Sequence, residues 1–184
     1  MATTNQETPN TLEIIESMSD LNTLLRVAEV AGLTNAFRSQ SPITLFAPTD
    51  EAFRNLPAGT LQGWLIDVEG LRRILSYHIV DRKITLNQLH DMTTDGRVTE
   101  VTTLQGSPVK LKTHQQAILR SEYVNDAKIV KSDMETSNGI IQMVDRVLIP
   151  ALTTLAFTTP TPQTMSPGQS TTTTTTTTKS DVMN

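Results

Sequence analysis

Thr44-Leu45-Phe46-Ala47-Pro48-Thr49-Asp50-Glu51-Ala52-Phe53 packs two kinds of local structure into one short run. Ile43 to Phe46 is β-branched and aromatic, the composition of a short buried strand. Pro48 cannot donate to a strand ladder and fixes φ, so the strand stops there. Thr49 can then cap a helix through its hydroxyl, and Asp50 and Glu51 suit that helix's positive end, with Asp50 accepting its backbone N–H groups. Ala52, Phe53 and Leu56 supply an apolar face, and Pro57 closes it. The spacing thus predicts a strand that turns into a helix within three residues, with Phe46 and Phe53 gripping sheet and helix together.

Working outward, a helix is expected from Thr11 to about Asp20, then an amphipathic one carrying Leu21, Leu24, Leu25, Val27 and Ala28 and stopped by Gly32. Leu33 to Phe37 makes a further short helix. Two helices ahead of the first strand favour an α+β layout over an alternating one. Beyond Pro57, helical spacing returns at Thr60–Leu65, which carries Trp64, the only tryptophan, and at Asp67–Ser76. From Tyr77 the pattern suits a strand, and Leu86–Met92 a short connecting helix or turn. Strand patterning then dominates: Val98–Leu104, a Gln105-Gly106-Ser107-Pro108 turn, Val109–Thr113 alternating with lysines, Ala117–Arg120 and Ala127–Lys131. The long apolar run Asn138-Gly139-Ile140-Ile141-Gln142-Met143-Val144-Asp145-Arg146-Val147-Leu148-Ile149-Pro150 follows. Asn138-Gly139 reads as a turn, the glycine free to take positive φ. Asp145 and Arg146 should face away from the core.

Three of these stretches, in this order and spacing, resemble the fasciclin-type domain family. TLFAPTDEAF (Thr44–Phe53) is similar to its first signature, Tyr77-His78 within SYHIV to its tyrosine–histidine motif, and Asn138–Pro150 to its second signature. Thr103–Pro108 and Asp133-Met134 fit as well. The resemblance runs from about Thr11 to Pro150. It implies a single α+β domain, a twisted β-sandwich or wedge with a helical layer from the N-terminal half. Its structural signature positions would be Thr44, Phe46, Pro48, Thr49, Asp50, Phe53, Asn138, Gly139 and Asp145. Gln142 stands where the second signature often carries a histidine, so a hydrogen-bond network that needs an imidazole there is in question.

The remaining chain divides simply. Residues 1–10 read as a disordered leader and 151–184 as a disordered tail of Thr, Pro, Ser and Gln, including eight consecutive threonines from Thr171 to Thr178. That composition would suit an O-glycosylated stalk, although a plain low-complexity terminus is the simpler reading. The leader carries no apolar run of a signal peptide, no segment approaches the ~20 apolar residues of a membrane helix, and the polar C-terminus is no lipid-anchor signal.

Composition removes several function classes. The 184 residues carry no cysteine, which excludes disulfides and thiolate chemistry. A formal net charge of −4 without a basic cluster disfavours nucleic acid. No phosphate loop, nucleophile elbow or paired-histidine metal helix occurs. Ser76 beside His78 lacks an orienting acid, and His90, Asp91 and Asp95 have no metal-ligand spacing. No metal, cofactor or enzymatic activity is expected.

The resemblance implies instead an adhesion or protein-interaction module at a cell surface or in an extracellular matrix, with a protein or cell-surface partner. In animal relatives the motif matching Tyr77-His78 is associated with integrin binding. The residue-level reading of His78 is packing, satisfied internally and neutral, while Tyr77 is left open between packing and recognition. An alternative from another class is a carrier of an apolar small molecule, a carotenoid or lipid. Met92, Met134 and Met143 would then line an adaptable groove.

Overall fold

The computed structural model describes residues 8–39, 41–116 and 119–150, and Pro9 and Asn10 are already bonded into the fold. Asn10 caps helix α1 (Thr11–Ser17) through a reciprocal capping box with Glu13, and the Pro9 carbonyl accepts from Ser137 N–H. These two residues therefore belong to the domain and not to a leader. Residues 1–7 and the tail from 151 lie outside the described residues.

Helices α2 (Asn22–Val30) and α3 (Thr34–Phe37) follow, and Gly32 between them sits at φ 67°, the left-handed geometry that ends a helix. Strand β1 (Ile43–Pro48) leads straight into α4 (Asp50–Arg54), then α5 (Thr60–Ile66) and α6 (Val68–Ser76). Strand β2 is only Ile79–Val80. The helix turn of α6 instead continues through Tyr77 in αR conformation to His78, whose N–H reaches back to the Leu75 carbonyl. Tyr77-His78 is therefore helix C-terminus, not strand. The periodicity Leu71, Ile74, Leu75, His78 wins because the last turn stays hydrogen bonded. Helix α7 (Leu86–Met92) precedes β3 (Thr99–Thr102), β4 (Pro108–Gln116), β5 (Leu119–Val124), β6 (Ala127–Thr136) and β7 (Gly139–Val144).

The sheet of the described residues runs β2-β1-β7-β6-β5-β4-β3. Only β1 and β7 pair in parallel, from Ile43 opposite Gly139 to Pro48 opposite Val144. The strand halves of the two signature stretches are thus neighbours. Strand β6 pairs with β5 only at Ala127 and Lys128, then bulges twice and follows β7, which folds the sheet into a wedge. The Leu104 and Gln105 N–H groups reach the Ile79 and Ser76 carbonyls, so the β3–β4 turn comes back to β2 and the wedge nearly closes.

Both faces of β1 and β7 are buried, which explains their unbroken apolar runs. Ile43, Leu45, Ala47, Ile141 and Met143 face the helices, where Leu24, Phe53, Trp64 and Leu71 form one core. Phe46 and Val144 face the wedge interior with Tyr77, Val80, Val101, Leu111 and Val124. Phe46 and Phe53 are buried, but in different cores on opposite sides of the sheet. They do not grip one another, because β1 presents successive side chains to opposite faces.

Candidate functional site

Most of the polar signature residues serve the fold's own backbone. Asp50 does so in an unexpected direction. Thr49 caps α4 by accepting from Ala52 N–H, while the Asp50 carboxylate accepts from Thr23 N–H at 2.7 Å, in the first turn of α2. The α2 N-cap, Leu21, has no side chain able to accept that bond, so α4 supplies the missing acceptor. A sequence reading confined to local spacing assigns Asp50 to its own helix and misses this.

Thr44, fully buried, donates to the Arg82 carbonyl at 2.6 Å and accepts from Ile84 N–H at 2.8 Å, tying the segment after β2 to β1. Gln142 fills the role that was in question. Its amide donates to Asp133 Oδ1 at 2.9 Å and to the Ile84 carbonyl at 3.2 Å, and its oxygen accepts from Asp133 N–H at 3.1 Å. That clamps Asp133 in left-handed conformation at φ 54°, inside the β6 bulge. A carboxamide supplies both donor and acceptor here, so no imidazole is needed.

Asn138 is the most connected side chain and the one least legible in sequence. Its oxygen accepts from Thr11 N–H, Thr11 Oγ1 and Thr136 Oγ1; its amide donates to the Phe37 and Ser39 carbonyls. Gly139 next to it does not use positive φ. It is required because a Cβ would collide with the Ile43 carbonyl oxygen and side chain across the parallel pair. Asp145 closes the other end of the strand, accepting from Lys128 N–H at 2.7 Å, and Arg146 is exposed as expected.

Tyr77 and His78 point to opposite walls of one cleft. His78 is fully buried; its Nδ1–H donates to the Ile74 carbonyl at 2.7 Å and its Nε2 accepts from Leu148 N–H at 2.9 Å. The two partners dictate the neutral Nδ1–H tautomer. Burial, opposed only by the Ile74 bond, pushes the pKa down from 6.5 to about 4. Tyr77 is 5% exposed; its hydroxyl donates to the Pro108 carbonyl at 2.9 Å and accepts from Asn125 Nδ2 at 3.1 Å. Asn125, at φ 55°, in turn accepts from Lys110 N–H at 2.8 Å. His78 therefore fixes the segment after β7, and Tyr77 fixes the β5–β6 turn against β4. Between these walls opens a cleft of about 540 Å³ with Tyr77, Lys110, Lys112 and Arg146 among its lining. A partner docking on the surface has no access to the His78 imidazole, so the motif acts through the walls it holds.

Two results follow for this pair. Protonating His78 turns Nε2 into a donor facing the Leu148 donor. The folded-state pKa lies below the unfolded one, so the unfolded chain binds the extra proton and stability is lost as pH falls from 6.5 to about 4. That difference corresponds to about 3 kcal/mol at ~1.36 kcal/mol per pH unit. Urea unfolding across this window, referenced to His78→Leu to remove the carboxylate contribution, should show it; parallel pH profiles would refute the buried-imidazole assignment. Tyr77→Phe should cost about 1 kcal/mol, more than a solvent-facing hydroxyl would, because Asn125 and Pro108 both lose their partner. An unchanged denaturation midpoint would show that water replaces the hydroxyl.

The methionines do not meet in one groove. Met143 and Met134 pack on the helix-side core and Met92 on the wedge interior. Among the described residues no group of three His, Asp or Glu side chains comes together to hold a metal, the Asp95 side chain lying outside them. No described helix is long and apolar enough to cross a membrane.

A bulged wedge of seven strands, its parallel pair flanked by a helical layer and its signature side chains locked to backbone, defines a fasciclin-type architecture. Residues 19–150 match the Fasciclin domain family model, and the chain belongs to that family. It is 34% identical to the protein sll1735 of Synechocystis over 141 residues, covering 77% of this chain and 98% of that one. It is also 34% identical to human periostin over 139 residues, 75% of this chain but only 15% of periostin. Among solved structures, a FAS1 domain pair from the insect cell adhesion molecule fasciclin I superposes with TM-score 0.69 at 16% identity, covering 80% of this chain and 53% of that one. That likeness is one of fold.

Proposed function

We propose that this chain is a non-enzymatic adhesion or protein-interaction module working at a cell surface or in an extracellular matrix. The observation that carries the reading is the fate of the polar signature groups. Thr44, His78, Asn138 and Gln142 are all buried and bonded to the chain's own backbone. A general acid, base or nucleophile must reach a substrate atom, and these groups do not. What the domain offers outward is surface shape and charge. Family membership and similarity to a cell surface glycolipoprotein of Mycobacterium bovis support this class of partner.

The test is attachment. Surfaces coated with the full chain should retain cells of its own source above an albumin-coated control, and soluble chain should compete the attachment away. Attachment equal to the control would overturn the reading.

A further inference from the structure

The cleft above Tyr77 carries a charge opposite to that of the molecule. The first lysine of the chain is Lys83, and the net charge is −4. Strand β4 nevertheless turns Val109 and Leu111 into the wedge and Lys110 and Lys112 outward. Arg146, on the facing wall, brings a third cation to the same cleft, and Asp126 is the single carboxylate in its lining. The lysines' own partners are long and loosely held. Lys110 lies 3.9 Å from Glu100, which is 57% exposed, and Lys112 lies 3.8 Å from Asp126, which is 89% exposed. Such pairs contribute little and exchange readily for another carboxylate. The rest of the lining is mixed: Tyr77 and Asn125 are polar, Ala127, Val147 and Leu148 are buried, and Ile149, 38% exposed, is the apolar side chain it leaves open.

We propose that this cleft is a docking site for an acidic peptide segment of a partner, bound in extended conformation with carboxylates on Lys110, Lys112 and Arg146 and an apolar side chain against Ile149. The spacing favours a peptide. Lys110 and Lys112 are alternate residues of one strand, about 7 Å apart, and alternate side chains of an extended peptide repeat at the same distance. A sulfated polysaccharide would call for a longer cationic track than these three side chains make. Tyr77 and His78 are positioning residues for the site: one holds the β5–β6 wall and the other the wall after β7. This rests on the binding-module reading above and adds to it the face and the chemistry of the contact.

The probe is a fluorescently labelled peptide with aspartates at alternate positions and a leucine two residues beyond the last. Its anisotropy is read with the full chain at low and at physiological salt. Saturable binding is expected, weaker at higher salt, absent for the asparagine analogue, and reduced about tenfold by Lys110→Glu or Arg146→Glu. Lys83→Glu, an exposed charge outside the cleft, should leave it unchanged. Both cleft side chains are largely exposed, so the variants should melt with the native chain; Lys110→Gln and Arg146→Gln replace any that does not. Binding that ignores the cleft substitutions, equal binding of the asparagine analogue, no saturable binding, or displacement of the peptide by heparin would each overturn the proposal. Peptide binding without cell attachment would sink the adhesion reading alone, and attachment that survives Arg146→Glu without peptide binding would sink the cleft alone.

Discussion

Asn138→Ala should cost the domain roughly 3 kcal/mol or more. The side chain is 7% exposed and spans three parts of the chain: the first turn of α1, the end of α3 and the start of β7. Removing it strips the partner from Thr11 N–H and the Phe37 carbonyl, both buried, and from the part-buried Ser39 carbonyl. Each buried group left unpaired costs ~1–3 kcal/mol, so two such losses and a part-buried one are large against a total stability of ~5–15 kcal/mol. Asn138→Asp separates the two halves of the network. It keeps the acceptor for Thr11 and sets a carboxylate against the two carbonyl oxygens, so it should be destabilising at neutral pH and recover in part as acid protonates it. Urea unfolding of both variants at pH 7 and pH 5 tests this. A loss under about 1 kcal/mol for Asn138→Ala would mean that solvent replaces all three bonds, and that α1 is held by apolar contacts alone.

That side chain also shows where sequence reading stops. The elements were legible because their causes are local. A β-branched run ended by Pro48 makes β1, Thr49 caps α4, and alternating apolar residues and lysines make β4. The helix α6 carried its own periodicity as far as His78, and burial of that imidazole followed from the same spacing. What stayed hidden were bonds between residues distant in sequence. Asp50 capping α2, Gln142 clamping Asp133, and Asn138 joining α1 to α3 span 27, 9 and 99–127 residues. No periodicity records such partners; only the topology, with β1 parallel to β7, brings them together. The cleft was hidden for the same reason, since Tyr77, Lys110 and Arg146 come from three separated segments. A scan for linear basic clusters passes over them.

The position of Phe46 leads to the second large effect. Phe46 is fully buried in the wedge interior, and Phe46→Ala should cost about 3–5 kcal/mol, the range for deleting a buried aromatic ring. Phe53→Ala, from the helix-side core, should fall in the same range at 5% exposure. The two rings distinguish a pair of cores from a single one. Were they gripping a common core, loss of one would let the other relax into the space and the costs would not add. With the sheet between them they share no cavity, so a double-mutant cycle should give a coupling below about 0.5 kcal/mol. The cycle is best run with leucine at both positions, because the alanine pair together would consume most of the domain's stability. Equilibrium urea unfolding of Phe46→Leu, Phe53→Leu and the double variant supplies the three differences. A coupling above about 1 kcal/mol would show that packing strain passes through β1 from one side to the other. The walls of the Tyr77 cleft, built on the wedge side, would then be sensitive to substitutions in the helical layer as well.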